Sequence, residues 1–478
     1  MKKILIMVLT VAVCGMAFGV DFAGGDGSAA NPWQIATEDQ LLKVNEDTTA
    51  SYILLNDITL TGEYTDSLIS AGEGSYYGNF TGSYFSGNFN GDGFVVRNLV
   101  INAVGSTNVG LFGLAQFGKI ENLGIENFSV SSNSHVVGSV IGRNLGQLTN
   151  CYATGTTNTV SGVNFVGGLT GLNAGDGNIT GCWVDAEVTG SGERVGGLVG
   201  QHSNTLSNSY ALGNVQGSVA PVGGLVGWNE GGTITSCYAA GNVSSNDQRI
   251  GGLIGYSNGG TIEYSYAMGN VTYTGGGTGL VMTGGLVGLC TATVNECFAT
   301  GDVDGVGGSR VGGLIGQPSG VVSNCYATGD VNGAGTLGGI AGLTLSEISN
   351  CYSTGAVTGT GGEIGGFVGR RYSGGPLNGF WDTETSGTTT GIGSGGAGAE
   401  GVVTGKTTTE MKTESTFTDA GWDFTDTWLL PGYTNEVFAG YPVFIWQLDS
   451  SPADFNEDGI VNLEDFAVLA DGWFSEAY

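Results

Sequence analysis

The chain has 478 residues, and 92 of them are glycine, against about 7% glycine in average proteins. Collagen is excluded because proline is scarce and glycine follows no three-residue period, and disorder is disfavoured because 40% of the residues are hydrophobic. With 13 Lys+Arg against 43 Asp+Glu the formal charge is −30, so nucleic acid and anionic membrane surfaces are poor partners, whereas calcium suits such a surface.

The N-terminal segment is typical of a signal peptide. Lys2 and Lys3 precede the apolar run ILIMVLTVAVCGMAFG, which ends in small residues that suit a cleavage site near Gly19. We expect residues 1–19 to be removed on export, which leaves the protein secreted or at the cell surface. A lipoprotein signal through Cys14 is an alternative. No later stretch is long and apolar enough to span a bilayer, so no membrane span is expected.

A six-residue unit, typified by VGGLVG at 222–227, recurs along the middle of the chain. A second unit, typified by CYAAGNV at 237–243, follows each copy of the first. Successive copies of the first unit lie 26 to 33 residues apart, with their first glycines at positions 138, 167, 196, 223, 251, 284, 312, 338 and 365. A period in this range indicates a repeat architecture whose units are stable only when stacked.

The two units predict strands, because both are short, rich in β-branched or aromatic residues, and bounded by Gly, Asn and Ser. About 28 residues per repeat would form a coil of two or three short strands, with glycines at corners of positive φ and at close approaches between layers. We therefore predict an all-β fold, a parallel β-solenoid (β-helix) of about ten coils. Stacked antiparallel hairpins turning at the GGTI segments are the alternative.

The repeats resemble the GLUG motif of exported bacterial surface proteins and some large peptidases, over about 109–385. The resemblance implies an N-terminal β cap at 20–105, a repeat solenoid at 106–385, and a loop with a C-terminal cap at 386–450. Within this cap we expect one helical turn near 408–415.

Six cysteines share one position of the second unit, and serine takes that position in two other repeats. Export permits disulfides, but serine substitution favours buried free thiols that act as small apolar groups. Zinc is disfavoured because no Cys-x-x-Cys or partnering histidine is present. The cysteines of this column are Cys151, Cys182, Cys237, Cys297, Cys325 and Cys351.

The residue after each of these positions is aromatic. Exposed rings could stack against sugars, whereas rings stacked on each other would be structural, and we favour the structural interpretation. The aromatic column comprises Tyr152, Trp183, Tyr210, Tyr238, Tyr266, Phe298, Tyr326 and Tyr352.

A third column of Glu187, Asn214, Asn242, Asn270, Asp302 and Asp330 predicts a side-chain ladder. Like charges one layer apart could instead hold a calcium ion. Arg194, Arg249 and Arg310 recur just before the glycine pair. They could line a face of the solenoid or occupy solvated corners.

The segment DFNEDGIVNLED at 454–465 matches a calcium loop, in which oxygens at alternate positions converge on one cation. It resembles one half of a type I dockerin, so 451–478 is expected to be a small calcium-loop and helix module. A dockerin has two such halves and this segment has one, which argues against a cohesin-like partner but not against Ca²⁺ binding. The predicted metal ligands are Asp454, Asn456, Asp458, Ile460 through its carbonyl, Asn462 and Asp465.

Together these features predict an exported, non-catalytic scaffold or adhesin with a repetitive binding surface and a calcium module. Its partner would be an extracellular polysaccharide or another surface protein. The alternative is a β-helix that binds or degrades polysaccharide, which for degradation requires acids converging on one face. No metallopeptidase motif accompanies the two histidines, and catalysis finds little support in the sequence.

Overall fold

The computed structural model describes residues 21–74, 80–156, 158–276, 279–395, 403–431 and 440–449. Over these residues the chain is nearly all β and winds into about 11 stacked coils, in which each strand pairs in parallel with its equivalent in the next coil. Tyr210, for example, pairs with Tyr238, and Tyr238 pairs with Tyr266. The predicted parallel β-solenoid is confirmed.

The antiparallel alternative is wrong. The GGTI segments lie in parallel register, with Thr233 opposite Thr261 and Ile234 opposite Ile262. Within the described ranges, the antiparallel strand pairs both lie outside the repeats: Gly72–Gly74 with Phe80–Gly82, and Trp428–Leu429 with Val443–Phe444.

Each complete coil contains five short strands rather than the two or three expected. The corners between them interrupt the strands, and Ser236, with φ of 52°, separates the third strand of its coil from the fourth. One such coil consists of Val222–Gly223, Val226–Asn229, Thr233–Thr235, Tyr238–Ala239 and Val243–Ser245.

Equivalent strands form five columns. The first column contains Val166–Gly167, Val195–Gly196, Val222–Gly223, Ile250–Gly251, Met282–Gly284, Arg310–Gly312, Thr336–Gly338 and Glu363–Gly365. The second contains Thr170–Asn173, Val199–His202, Val226–Asn229, Ile254–Ser257, Val287–Cys290, Ile315–Pro318, Ala341–Thr344, Val368–Arg371 and Ile392–Ser394. The third contains Trp33–Ile35, Ser51–Leu54, Asn88–Asn90, Asn178–Thr180, Thr205–Ser207, Thr233–Thr235, Thr261–Glu263, Thr293–Asn295 and Val322–Ser323.

The fourth column contains Ile58–Thr59, Val95–Arg97, Gly124–Glu126, Tyr152–Thr154, Trp183–Val184, Tyr210–Ala211, Tyr238–Ala239, Tyr266–Ala267, Phe298–Ala299, Tyr326–Ala327 and Val403–Lys406. The fifth contains Glu63–Tyr64, Val100–Ala103, Ser129–Ser132, Thr159–Gly162, Glu187–Gly190, Val215–Gly217, Val243–Ser245, Val271–Tyr273, Val303–Gly305, Val331–Gly333 and Val357–Gly359. Longer strands run through two columns, Phe112–Glu121 and Ile141–Thr149 through the second and third, and Ile348–Ser353 and Leu377–Asp382 through the third and fourth.

The core is a set of apolar columns inside the coils. In the coil at 222–245, Val222, Leu225, Val226 and Ile234 are fully buried, and equivalent residues of neighbouring coils continue each column. Full burial of such a side chain contributes roughly 1.5–3 kcal/mol, so repetition of the pattern gives the stack its stability.

The repeated glycines are required mainly by close packing between coils. A Cβ on Gly224 would lie 2.1 Å from the carbonyl oxygen of Gly252 in the next coil, which no side chain tolerates. Corners of positive φ are instead often occupied by other residues, such as Asn208 at 49° and Tyr264 at 50°. The expected corner role of glycine is therefore correct only in part.

Short helices occur at both ends of the described chain. Near the N-terminus, the helix Glu38–Leu42 leads into the 3₁₀ turn Lys43–Glu46, and the side chain of Thr37 caps the helix. In the C-terminal cap, the predicted turn near 408–415 is present as Thr408–Met411, followed by the helices Glu414–Thr418 and Trp446–Asp449.

Candidate functional site

The aromatic column lies on the outside of the fourth strand column. Neighbouring rings are 4.6 to 5.6 Å apart between centroids and 1° to 8° from parallel, from Tyr152 to Tyr352. Parallel register puts equivalent side chains directly above one another, so the rings stack as predicted.

Both faces of the rings in this column are occupied. Each inner ring has a ring above and below it, while Tyr152 covers Gly124, where an added Cβ would lie 2.6 Å from the tyrosine Cζ. At the other end, the ring of Tyr441 from the C-terminal cap stacks on Tyr352, with ring centroids 6.3 Å apart and planes 16° from parallel. Sugars therefore cannot stack on these faces, and the column presents only ring edges and tyrosine hydroxyls to its surroundings.

The C-terminal cap covers one end of the column. Phe298, Tyr326 and Tyr352 are buried, whereas the five rings from Tyr152 to Tyr266 are half-buried. The cap supplies Trp428 and Phe444 against the buried rings.

Polar contacts fix this covering. Gln447 exchanges hydrogen bonds with the Tyr326 hydroxyl at 2.9 and 3.2 Å, and the hydroxyl of Tyr352 donates to the carbonyl oxygen of Pro442. Burial raises the pKa of the Tyr326 hydroxyl, so this group stays protonated and available as a donor.

Next to Trp446 of the cap, a groove of about 320 Å³ opens beside the column. Trp446 forms one wall and meets the ring of Tyr264 edge to face at 6.1 Å. We call this feature the aromatic groove; its lining residues are Asn208, Tyr210, Ser236, Tyr238, Tyr264, Tyr266 and Trp446. It combines aromatic walls with tyrosine hydroxyls, an amide and a serine.

Near Trp446, Glu296 carries a half-buried carboxyl group. Burial raises the pKa of Glu296, and the carboxylates of Glu263 and Asp423 raise it further, against hydrogen bonds from Asn295 and Trp446 that lower it. Neither Glu263 nor Glu296 lines the groove.

The cysteine column is buried and all seven cysteines of the described residues, including Cys290 outside the column, are free thiols. This agrees with the favoured interpretation. Ser265 replaces cysteine because the column needs a small acceptor: the backbone N–H of Cys237 donates to the Ser265 hydroxyl at 3.1 Å. Burial raises the pKa of the Cys237 thiol to about 12.

The predicted Asn/Asp column forms the expected ladder from Asn214 to Asp330, but through backbone donors. The side-chain oxygen of Asn214 accepts from the backbone N–H of Asn242 at 3.0 Å, and that of Asn242 accepts from Asn270 at 2.9 Å. The same contact continues through Asp302 to Asp330. A carboxylate satisfied in this way does not require a cation.

A buried polar column was missed by the sequence reasoning, although a polar residue stands two positions after the last glycine of several repeats. Asn144 donates to Asn173 at 2.7 Å, and the Asn173 amide lies 3.1 Å from Nδ1 of His202. Burial lowers the pKa of His202 to about 4, so the ring is neutral at physiological pH. The column continues through Asn229 and Ser257, which are hydrogen-bonded at 3.0 Å.

The predicted calcium ligands, Asp454, Asn456, Asp458, Ile460, Asn462 and Asp465, lie outside the described residues. Within the described ranges, no three His, Cys, Asp or Glu side chains are grouped as a metal site. In the same part of the chain, no helix is long and apolar enough to cross a membrane.

The chain carries GLUG motifs: the family model described as "The GLUG motif" matches residues 222–244, 246–272 and 307–332. This chain is 32% identical over 211 residues to a halomucin of Haloquadratum walsbyi, and the alignment covers 38% of this chain and 2% of the halomucin. It is 34% identical over 141 residues to a proposed Gly-rich membrane protein of Evansella cellulosilytica, covering 28% of this chain and 16% of that protein. The chain thus spans only a small part of either relative.

Among solved structures, the chain is similar to a proposed immunoglobulin A1 protease from Bacteroides ovatus. The alignment covers 89% of this chain and 95% of that one, with 18% identity and a TM-score of 0.34.

Proposed function

We propose that this protein is an exported, non-catalytic scaffold, secreted or held at the cell surface, and that its aromatic groove binds an extracellular polysaccharide. The observation that carries the proposal is a ligand-sized groove on a rigid, repetitive surface. A volume of about 320 Å³ suits one or two sugar rings, and it lies within the usual range of ligand sites.

The lining of the groove suits a sugar better than a purely apolar ligand. Trp446 and Tyr264 offer apolar surface to the C–H groups of a pyranose ring, while Asn208 and Ser236 offer hydrogen-bonding groups. The column beside it is stiff because every ring is held between neighbours, so little conformational freedom is lost when a ligand binds.

The signal-peptide pattern supports export. One of the relatives has a name that places it at a membrane, which is consistent with a surface location for a shared repeat. Residues 454–465 complete the proposal as a calcium-binding module, on the strength of alternating oxygen ligands around Gly459.

Polysaccharide degradation is the second candidate, because Glu263 and Glu296 are close enough for one charge to raise the other's pKa. A glycosidase needs two carboxyl groups that both reach the substrate. Since neither of these lines the groove, binding without cleavage is the better-supported role.

The test is retention of the full-length mature protein on a panel of immobilised polysaccharides, with released products measured in parallel. We expect retention on at least one neutral polymer and a loss of about tenfold in affinity for Tyr264→Ala, since aromatic contacts are among the strongest in binding sites. Tyr84→Ala, which removes an exposed ring elsewhere, is the matched control. Absence of retention on every polymer, or equal retention by both variants, would overturn the proposal, and released oligosaccharides would favour the hydrolase.

A further inference from the structure

A second face of the solenoid carries a row of arginine side chains. Of the 13 Lys+Arg in the chain, five are arginines that recur on every second coil, either just before the glycine pair or at the outward position of the second strand. We call this set the arginine stripe: Arg143, Arg194, Arg249, Arg310 and Arg370.

The register establishes the alternation. Arg143 lies opposite Leu172 of the next coil, and Leu172 lies opposite Gln201 of the coil after that. Arg194 donates a hydrogen bond to Gln201, so its guanidinium group lies two coils from Arg143. Further along, Met282 lies opposite Arg310. At about 4.8 Å per coil, the arginines therefore repeat about every 10 Å, over a total length of about 40 Å.

Side chains on the same face hold the guanidinium groups. Arg194 lies between the rings of Phe165 at 4.6 Å and Trp228 at 4.3 Å, and it donates to Oε1 of Gln201 at 2.8 Å. Arg249 lies over the ring of Tyr256 at 5.0 Å. Arg194 is only 7% exposed, so the interpretation of these arginines as solvated corners is wrong for it.

Few carboxylates neutralise the stripe. Nε of Arg194 is 4.0 Å from a carboxylate oxygen of Glu193. Arg249 and Arg310 form no ion pair with any described residue, and Arg310 donates instead to the amide oxygen of Gln317. The guanidinium nitrogen Nη1 of Arg370 is 3.6 Å from the carboxylate oxygen Oε1 of Glu363. Burial and the charge of Arg370 both lower the pKa of Arg310, so these two arginines repel each other across two coils. A periodic positive strip thus lies on a chain of net charge −30.

We propose that the arginine stripe binds an extended anionic polysaccharide that carries carboxylate or sulfate groups along its length. A guanidinium fork pairs with such planar or tetrahedral oxyanions through two parallel hydrogen bonds. The spacing of about 10 Å is close to the length of two linked sugar rings, so one charge per disaccharide would meet the partly exposed guanidinium groups of Arg249, Arg310 and Arg370 on alternate coils. The buried Arg194 adds positive charge to the face without direct contact.

Nucleic acid fits this face less well. Duplex DNA carries one charge about every 1.7 Å, far denser than the stripe, and the acidic remainder of the protein would repel it. A sparsely charged polymer avoids that repulsion, because charges beyond about 8 Å are screened at physiological ionic strength.

This inference rests on the proposed role as a polysaccharide-binding scaffold, but it uses a different face from the aromatic groove. The test measures binding of the full-length mature protein to alginate and dextran sulfate, with uncharged dextran and duplex DNA alongside. Arg249→Gln/Arg310→Gln keeps hydrogen-bonding side chains and removes two charges. Lys119→Gln/Lys412→Gln, off the stripe, removes the same charge and is the control.

We expect the wild type to bind an anionic polymer, with affinity that falls steeply as salt rises, and at least about tenfold weaker binding by the stripe variant. The control should bind like the wild type, and circular dichroism should show the same β spectrum for all three. Equal binding by the stripe variant, stronger binding to DNA, or no binding to either acidic polymer would overturn the inference. Tyr264-dependent retention on a neutral polymer would still leave the proposed function standing.

Discussion

The backbone N–H of Asp330 donates a hydrogen bond of 2.9 Å to a carboxylate oxygen of Asp302, one coil away. The carboxylate of Asp330 in turn accepts from the backbone N–H of Ala356 at 2.8 Å. Two acidic residues can therefore occupy adjacent layers, because each is satisfied by the backbone of the following coil.

For this ladder we predict that Asp302→Asn is at least as stable as the wild type, because the amide oxygen keeps the acceptor and the repulsion from Asp330 is removed. Asp302→Ala should lose about 1 kcal/mol in the free energy of unfolding, the usual net value of one hydrogen bond. Urea denaturation of the three proteins measures this. An alanine variant as stable as the wild type would contradict the ladder.

The buried imidazole of His202 makes stability depend on pH. Its pKa falls from 6.5 to about 4 on burial, so the unfolded chain binds a proton more readily than the folded one. The contribution of the neutral His202 to the free energy of unfolding is fully present above pH 6.5 and is lost progressively as the pH falls to 4. The loss amounts to roughly 3 kcal/mol, at about 1.4 kcal/mol per pKa unit. His202→Asn, which matches its neighbours in the column, should lose less stability over this window. Chemical denaturation at pH 7 and pH 4.5, with His135→Asn as control, isolates the difference; parallel losses in wild type and His202→Asn would refute it.

Glycine at the close approach between coils should be irreplaceable. An added Cβ on Gly224 would lie 2.1 Å from a carbonyl oxygen, whereas nothing lies within 4 Å of one on Gly276. We expect Gly224→Ala to lower the free energy of unfolding by at least about 2 kcal/mol, and Gly276→Ala to change it by less than about 0.5 kcal/mol. Thermal or urea unfolding compares them. Equal effects of the two substitutions would mean that the coils separate readily.

The column thiols should be present but protected. In the folded, unreduced protein we expect slow reaction with a thiol reagent, because burial raises their pKa and excludes the reagent. In denaturant all seven described cysteines should react. Near-zero reactivity after unfolding would reveal disulfides between coils instead.

Calcium binding at 454–465 remains a prediction from sequence. Calorimetric titration of the full protein, stripped with a chelator, should give a dissociation constant between about 10⁻⁶ and 10⁻³ M. Asp454→Ala and Asp458→Ala should each weaken it, while Asp419→Ala, in the C-terminal cap, should not. No heat of binding at several millimolar would show that the loop is only a turn. Unchanged affinity in both loop variants would place the ion elsewhere.

The repeat period was sufficient to predict the architecture. A parallel stack places residue i of one coil over the equivalent residue of the next, so any property that recurs at the repeat length becomes a continuous column. For this reason the aromatic column, the thiol column and the Asn/Asp ladder could all be read from aligned repeats. The buried column containing His202 recurs in the same way, but its mixture of Asn, His and Ser concealed it.

The sequence could not show which parts of each column are exposed, because exposure depends on contacts between distant segments and on the corners within each coil. Tyr326 is buried because Gln447 and the rest of the cap fold back over it, 121 residues later in the chain, and no repeat encodes that contact. The aromatic groove likewise depends on Trp446, which the cap places beside Tyr264 and Tyr266 of the solenoid. Arg194 precedes the first strand of its coil, whereas Arg370 lies within the second strand of its coil. The corner between these strands places both side chains on one face, which the sequence positions alone do not show. Periodicity specifies what is stacked on what, whereas tertiary packing determines which parts of each column remain accessible to a partner.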